Sequence, residues 1–179
     1  RLRSALAEVT GPAVVIGGDC GVSAEAVAHV AGDDLAIVWF DAHPDLNSPE
    51  TSPSGAFGGM VLGTILTEGH VRADRTVIAG AREWDLGEEL FAGANPVHRI
   101  DTADLADATA VADAVVATGA SRVYIHVDLD VLDPADFAGL LNPIPFGVSP
   151  AALTAAIRAI VQRVPLAGAT IASFAPESE

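Results

Sequence analysis

Six short apolar runs, rich in Val and Ile, punctuate this chain, and Ala-rich stretches with the period of a helix fill the gaps between them. The runs predict strands over 13–16, 35–40, 76–79, 97–100, 122–127 and 169–174, each bounded by polar residues, Gly or Pro. The gaps predict helices over 23–30, 57–68, 85–91, 102–118 and 150–162. The last has the best start signal, because Ser149 can cap it and Pro150 suits its first turn. A strand that must be followed by a helix before the next strand can pair in parallel leaves few options. The alternation implies an α/β fold, three layers deep, with a mainly parallel sheet. At 179 residues with 50% apolar content, one domain can bury a sizeable core without a staple. The single Cys20 excludes an intramolecular disulfide.

Charge narrows the function classes. All nine basic residues are arginine, so a P-loop lysine, a Schiff-base lysine and a pyridoxal anchor are excluded. A formal charge of −15 repels polyphosphate, which argues against nucleic acid and against an anionic membrane surface as partners. No apolar run reaches the roughly 18 residues of a spanning helix. No signal peptide is visible after Arg1, and the expected location is cytoplasmic.

Two segments break the alternation, 41–55 and 128–148, and each directly follows a predicted strand. Ligands of open α/β sheets sit beyond the carboxyl ends of strands, so a site is expected there. The first segment opens with Asp41-Ala42-His43-Pro44-Asp45, the second with Asp128-Leu129-Asp130-Val131-Leu132-Asp133-Pro134. If the backbone stays extended, the two-residue period puts Asp41, His43 and Asp45 on one side and Asp128 and Asp130 on another. Four carboxylates and an imidazole at neighbouring strand ends need a positive partner, and with no lysine a divalent cation is the natural one. Oxygen-rich ligation with one imidazole suits Mn2+, and less exclusively Mg2+ or Zn2+. A lone D-x-D after a strand is often only a cap or turn, and Asp133-Pro134 reads as a turn start. His126 precedes Asp128 by two residues, so alternation points it the same way, towards a site-facing or supporting role. His29, His70 and His98 read as structural or solvated, and Trp39 and Trp84 as packing residues, Trp84 with the option of walling a pocket.

The order Gly17-Gly18-Asp19, then Asp41-Ala42-His43-Pro44-Asp45-Leu46-Asn47, Ser54-Gly55 and His126 to Pro134 resembles the arginase–agmatinase (ureohydrolase) family, to which formiminoglutamases also belong. The stretch Gly168-Ala169-Thr170-Ile171-Ala172-Ser173-Phe174-Ala175-Pro176 is similar to that family's late strand. The resemblance implies a single ureohydrolase-like domain over 1–179, lacking N-terminal and C-terminal elements of the longer family chains. It further implies two Mn2+ ions sharing a bridging hydroxide that attacks a guanidinium carbon of a small guanidino or amidino substrate, in a homo-oligomer. By that likeness Asp41 and Asp128 bridge the ions and act catalytically through the hydroxide; His126, by its alternation with Asp128 and not by the likeness, is a further catalytic candidate. His43 and Asp130 complete one metal site and Asp45 belongs to the other, while Asn47, Ser54 and Asp85 match substrate-binding positions. On their own, Asn47 and Ser54 are ordinary loop residues and Asp85 a helix cap.

Three positions depart from the family pattern. Cys20 stands where a metal-binding histidine is usual; it reads either as a softer ligand favouring Zn2+ or as a small buried hydrophobe. Gly58 stands where a proton-shuttling histidine is usual, and losing such a group costs on the order of 10²–10⁴-fold in rate. Ser173 stands where a carboxylate grips the guanidinium, with Glu177 and Glu179 nearby but out of register. The expected function is therefore metal-dependent hydrolysis of a C–N bond. The alternative is a catalytically impaired relative that binds one metal or none and serves as a binding or assembly subunit. The run Asp128 to Val131 also fits the signature resembling haloacid-dehalogenase-type phosphatases, but that chemistry wants the motif on an early strand and a later basic residue for the phosphoryl group.

Overall fold

A computed structural model describes residues 1–176. Its centre is one six-stranded sheet in which every pairing is parallel, built from β1 (Ala13–Ile16), β2 (Leu35–Phe40), β3 (Thr76–Ala79), β4 (His98–Ile100), β5 (Arg122–Asp128) and β6 (Leu166–Ala172). The strand order is β1-β6-β5-β2-β3-β4. The helices are α1 (Leu2–Leu6), α2 (Ser23–Val30), α3 (Val61–Thr67), α4 (Leu86–Ala94), α5 (Ala110–Ala117) and α6 (Pro150–Val161).

Alternation along β2 shows how the three layers arise. Leu35, Ile37 and Trp39 enter one core with Val27 of α2 and Leu62 and Ile65 of α3, while Ala36, Val38 and Phe40 enter the other with Val111 and Val115 of α5 and Leu153 and Ile160 of α6. A strand covered on both faces reads as a continuous apolar run, and all six β2 residues are buried. The bounds expected for β2 and β3 match the structure for this reason; those of β1, an edge strand with Val14 and Ile16 exposed, match as well.

Three expectations are corrected. The helix expected over 102–118 is split: one tight turn at Asp104–Ala106 precedes α5, because the Asp107 carboxylate accepts from both the backbone N–H and the hydroxyl of Thr109, at 2.9 Å each, and competes with the helical pattern. The last strand runs over Leu166–Ala172 and stops before Ser173, whose φ of 66° is left-handed. Helix α1 went unread in the sequence. Its Arg3 forms a two-pronged pair with Glu25 of α2, at 2.8 Å on each prong, and Leu6 reaches the core.

The connectivity decides where a site can open. From β2 the chain proceeds through α3 to β3 on one side, and from β5 through α6 to β6 on the other. β2 and β5 are neighbours, so their connections diverge and leave a crevice beyond their carboxyl ends. Both carboxylate-rich loops begin there.

Candidate metal centre

In the register of β2 against β5, Phe40 lies opposite Val127, which makes Asp41 and Asp128 the next pair outward. Each aspartate then turns its chain in the same way. Asp41 Oδ1 accepts from the His43 N–H at 2.7 Å, and Asp128 Oδ1 accepts from the Asp130 N–H at 2.9 Å. The residues expected to line up by strand alternation therefore converge by bending. Asp130 sits in a one-turn 3-10 helix, and Asp45 takes a left-handed φ of 52°, which aspartate tolerates. The loops are also sewn together, since Asp130 Oδ1 accepts from the Ala42 N–H at 3.0 Å. His43 Nδ1 ends 3.1 Å from Asp130 Oδ2 and 3.3 Å from Asp41 Oδ1.

The second oxygen of Asp41 faces a different group. Trp39 Nε1 donates to Asp41 Oδ2 at 3.2 Å, Cys20 Sγ lies 3.6 Å from it, and His126 Nε2 lies 3.9 Å from it. Cys20 is presented by a tight turn, Cys20–Val22, that Asp19 caps by accepting from the Gly21 N–H at 2.8 Å. Its thiol donates to Asp128 Oδ2 at 2.8 Å, and the Ser173 hydroxyl donates to the same oxygen. His126, opposite Trp39 in the sheet register, stacks on that indole with ring centroids 3.5 Å apart. Trp39 thus does more than pack.

Asp41, Asp45, Asp128 and Asp130 are almost wholly buried, and their titration reflects it. Burial and the neighbouring carboxylates hold the carboxyl groups of Asp41, Asp45 and Asp128 above the usual range. Burial alone would raise Asp130 too, but the hydrogen bond from His43 and that from Ala42 bring it below. Burial would lower His43, yet Asp130 wins and raises it to about 8. Burial lowers His126 to about 3, and burial together with Asp41, Asp45 and Asp128 pushes the Cys20 thiol up. Among the described residues, buried polar side-chain atoms without a hydrogen-bond partner include Asp45 Oδ2 and His126 Nε2, both in this cluster. Asp41, His43 and Asp130 bring ligand atoms within 4.8 Å of one another, and so do Cys20, Asp41 and His126. Mutual repulsion with unpartnered acceptors is what a divalent cation relieves, so the residues present fit bound metal.

A cavity of about 420 Å3 opens above the cluster. Cys20, Asp41, His43, Asp45, Asn47, Ser54, Asp85, Asp128 and Asp130 all line it, whereas His126 lies beneath its floor, fully buried. Asn47 donates to Asp85 Oδ2 at 2.8 Å, and Asp85 N-caps α4, so its capping reading holds while it also lines the cavity. Asp133 starts a turn, as its sequence suggests, accepting from the Ala135 N–H at 2.8 Å. Gly58 and Ser173 face the cavity too; Glu177 and Glu179 lie outside the described residues.

Some supporting residues carried no sequence signal. Arg82 donates to the carbonyls of Asp130, Ile144 and Pro145 at 2.8, 2.6 and 2.9 Å, holding the second loop in place. Glu88 accepts from the N–H groups of Leu46 and Asp85, at 3.1 and 2.9 Å, and ties the first loop to α4. Gly63 lets α3 approach that loop; a Cβ there would stand 3.0 Å from the Leu46 carbonyl oxygen and 3.1 Å from that of Asn47. The Gly-rich run before α3 was the one hint of such a close approach.

A family model described as the arginase family matches residues 2–179. The chain is 36% identical over 155 residues to an arginase of Brevibacillus brevis, covering 76% of this chain and 52% of that protein. It is 34% identical over 160 residues to the N(omega)-hydroxy-L-arginine amidinohydrolase of Streptomyces lavendulae, covering 85% and 55%. The crystal structure of arginase from Bacillus cereus superposes with a TM-score of 0.88 at 28% identity, covering 97% of this chain and 68% of that one. The chain thus spans about half the length of the relatives it matches by sequence. With the sheet, the paired aspartate turns and the match along its whole length, the chain belongs to the arginase family.

Proposed function

We propose that this chain carries the catalytic core of a metal-dependent hydrolase that cleaves a C–N bond of a small guanidino or amidino compound. The observation that carries the reading is the meeting of His43 and Asp130, from two loops 87 residues apart, at 3.1 Å beside Asp41. Asp41, His43 and Asp130 would hold one divalent cation, with Mn2+ the best match to oxygen and imidazole donors; Asp45 and Asp128 would serve a second. Such ions supply Lewis acidity and a water whose pKa falls into the neutral range. The family relatives are named as arginases and as an amidinohydrolase, and the same substrate class is our reading for this cavity.

The protein's own groups divide the remaining work. Seven carboxylates and no arginine line the cavity, which favours a cationic substrate and a neutral or cationic product. Asp85, steadied by Asn47, is placed to meet a positively charged end of the substrate, and Ser54 offers a hydroxyl at the rim. Ser173 presents its hydroxyl to Asp128 rather than a carboxylate to the substrate, so the amidino group is held with fewer charge-assisted bonds. In the metal-free protein Asp130 beside Nδ1 and Glu83, 3.7 Å from Nε2, raise His43 to about 8, so a cation bound there must displace that proton. The same reading carries homo-oligomeric assembly as its expectation.

The test is elemental analysis after Mn2+ loading, paired with product assays on arginine, agmatine, guanidinobutyrate and formiminoglutamate. Retained metal with urea or amide release from one of the four supports the reading. Metal retention with no release from any of them overturns it.

A further inference from the structure

Cys20 and His126 are both absent from the oxygen-rich set just described, yet they meet at its inner edge. With Asp41 Oδ2 they offer one sulfur, one nitrogen and one oxygen, all within 4.8 Å of one another and all buried. We propose that Cys20 and His126 join Asp41 at the second cation and make it a soft site, selective for Zn2+ or Co2+ over Mn2+, so that the centre holds two chemically different cations. The inference rests on the metal-binding part of the reading above.

Three observations support it. His126 Nε2 has no hydrogen-bond partner among the described residues although the side chain is 0% exposed. A buried nitrogen left in that state costs roughly 1–3 kcal/mol unless something binds it. Its orientation is also built rather than incidental: Nδ1 is 2.8 Å from Ser23 Oγ, the indole of Trp39 stacks on the ring, and Nε2 is thereby aimed at Asp41 and Cys20. A second partner on the far nitrogen of a metal-binding imidazole is the usual way its ring and tautomer are set.

The spacing is close to that of ligands sharing one ion. Ligands about 2.0–2.3 Å from one tetrahedral ion stand about 3.3–3.8 Å apart. Cys20 Sγ is 3.6 Å from Asp41 Oδ2, within that range, and His126 Nε2 is 3.9 Å from it, just outside that range and beyond hydrogen-bond reach. The thiol also donates to Asp128 Oδ2 at 2.8 Å, and binding an ion would require that proton to leave, with the Asp128 carboxylate in place to take it. Cys20 and Asp41 both line the cavity, so an ion they held would border the substrate space. Thiolate with imidazole favours Zn2+ and its relatives, whereas Asp41 Oδ1, His43 and Asp130 suit Mn2+.

The test uses the whole chain, stripped with a chelator and titrated with Co2+ alone. The expected result is a near-ultraviolet thiolate-to-cobalt charge-transfer absorption, kept in His43→Ala and absent in Cys20→Ser. After exposure to equal Mn2+ and Zn2+ and gel filtration, one zinc per chain is expected to remain. Cys20→Ser and His126→Gln should weaken that retention by more than the about 10–100-fold expected for Ser23→Ala, whose loss only unsteadies His126. Circular dichroism of each variant separates ligand loss from unfolding. Cobalt bound without the thiolate band, or zinc retention unchanged in Cys20→Ser, overturns the assignment. Mn2+-supported hydrolysis without the band sinks this site alone, and the band without hydrolysis sinks the hydrolase reading alone while supporting the site.

Discussion

On the Oδ1 side of Asp41 stand His43 and Asp130, at the cavity wall, with the His43 side chain 28% exposed. On the Oδ2 side stand Cys20, His126 and Trp39, in the core, with His126 fully enclosed. One carboxylate therefore joins a group of oxygen and imidazole donors at the cavity wall to a more deeply buried group containing sulfur. The contrast teaches that ligand chemistry in this fold is set by which layer a residue comes from. The outer group is made wholly of loop residues beyond the strand ends. The inner group draws on β5 itself, for His126, and on the turn after β1, for Cys20.

Removing the shared carboxylate should break both sides at once. Asp41→Asn is expected to lower hydrolysis by at least about 10³-fold, the several kcal/mol that charge stabilisation by a metal supplies. The same change should raise the melting temperature of the metal-free protein, because an ionised Asp41 is buried among Asp45, Asp130 and Asp128. Product assays and thermal melts in chelator check the two halves of that statement, and a lower melting temperature would contradict the repulsion.

Neither side supplies a proton donor at position 58. A Cβ placed on Gly58 meets nothing within 4 Å, and the residue lines the cavity, so Gly58→His is accommodated. Its expected effect is a gain of about 10²-fold in kcat, the lower end of general acid–base contributions. A larger side chain without a titratable group, Gly58→Phe, should give no gain.

The outer side can be loosened alone. Arg82→Met removes the guanidinium that holds the carbonyls of Asp130, Ile144 and Pro145. It should weaken Mn2+ binding by about 10–100-fold while leaving zinc retention nearly unchanged, and metal titrations on one preparation compare the two directly.

The smallest effect is on pH. His126, lowered to about 3, is neutral when folded between pH 6.5 and 8 but partly protonated when unfolded near pH 6.5, so it acts in the opposite sense to His43 and by less, about 0.4 kcal/mol. His43, raised from 6.5 to about 8, binds more proton folded than unfolded in that window, and raised Asp41, Asp45 and Asp128 act in the same direction. The metal-free protein should therefore lose stability as pH rises from 6.5 to 8, by about 1 kcal/mol from His43 alone. Urea titrations at the two pH values measure it, and bound metal should reverse the trend by favouring deprotonated ligands.

How legible was this molecule in its sequence? The α/β architecture, the bounds of the inner strands β2 and β3 and the two loops that build the site could all be read, because a strand buried on both faces must be apolar throughout and a site loop must interrupt that pattern. The family likeness drew on the same loops. What went unread has a common cause: it depends on partners far away along the chain. Ser173 ends β6 early because it turns towards Asp128, 45 residues back. Arg82 looks like any surface arginine until its reach to Ile144 and Pro145 is seen.

By itself, the order of residues determined which side chains could act, since the carboxylates and His43 follow their strands in an arrangement that local period and charge make conspicuous. Only the tertiary structure decided what each faces. Two aspartate turns, a left-handed Asp45 and the pairing of β2 with β5 divided Asp41 between two neighbourhoods, and the stacking of His126 on Trp39 brought that imidazole beside Cys20. The physical reason is separation along the chain: Cys20 and Asp128 are 108 residues apart and in contact, and no local periodicity encodes a contact of that span.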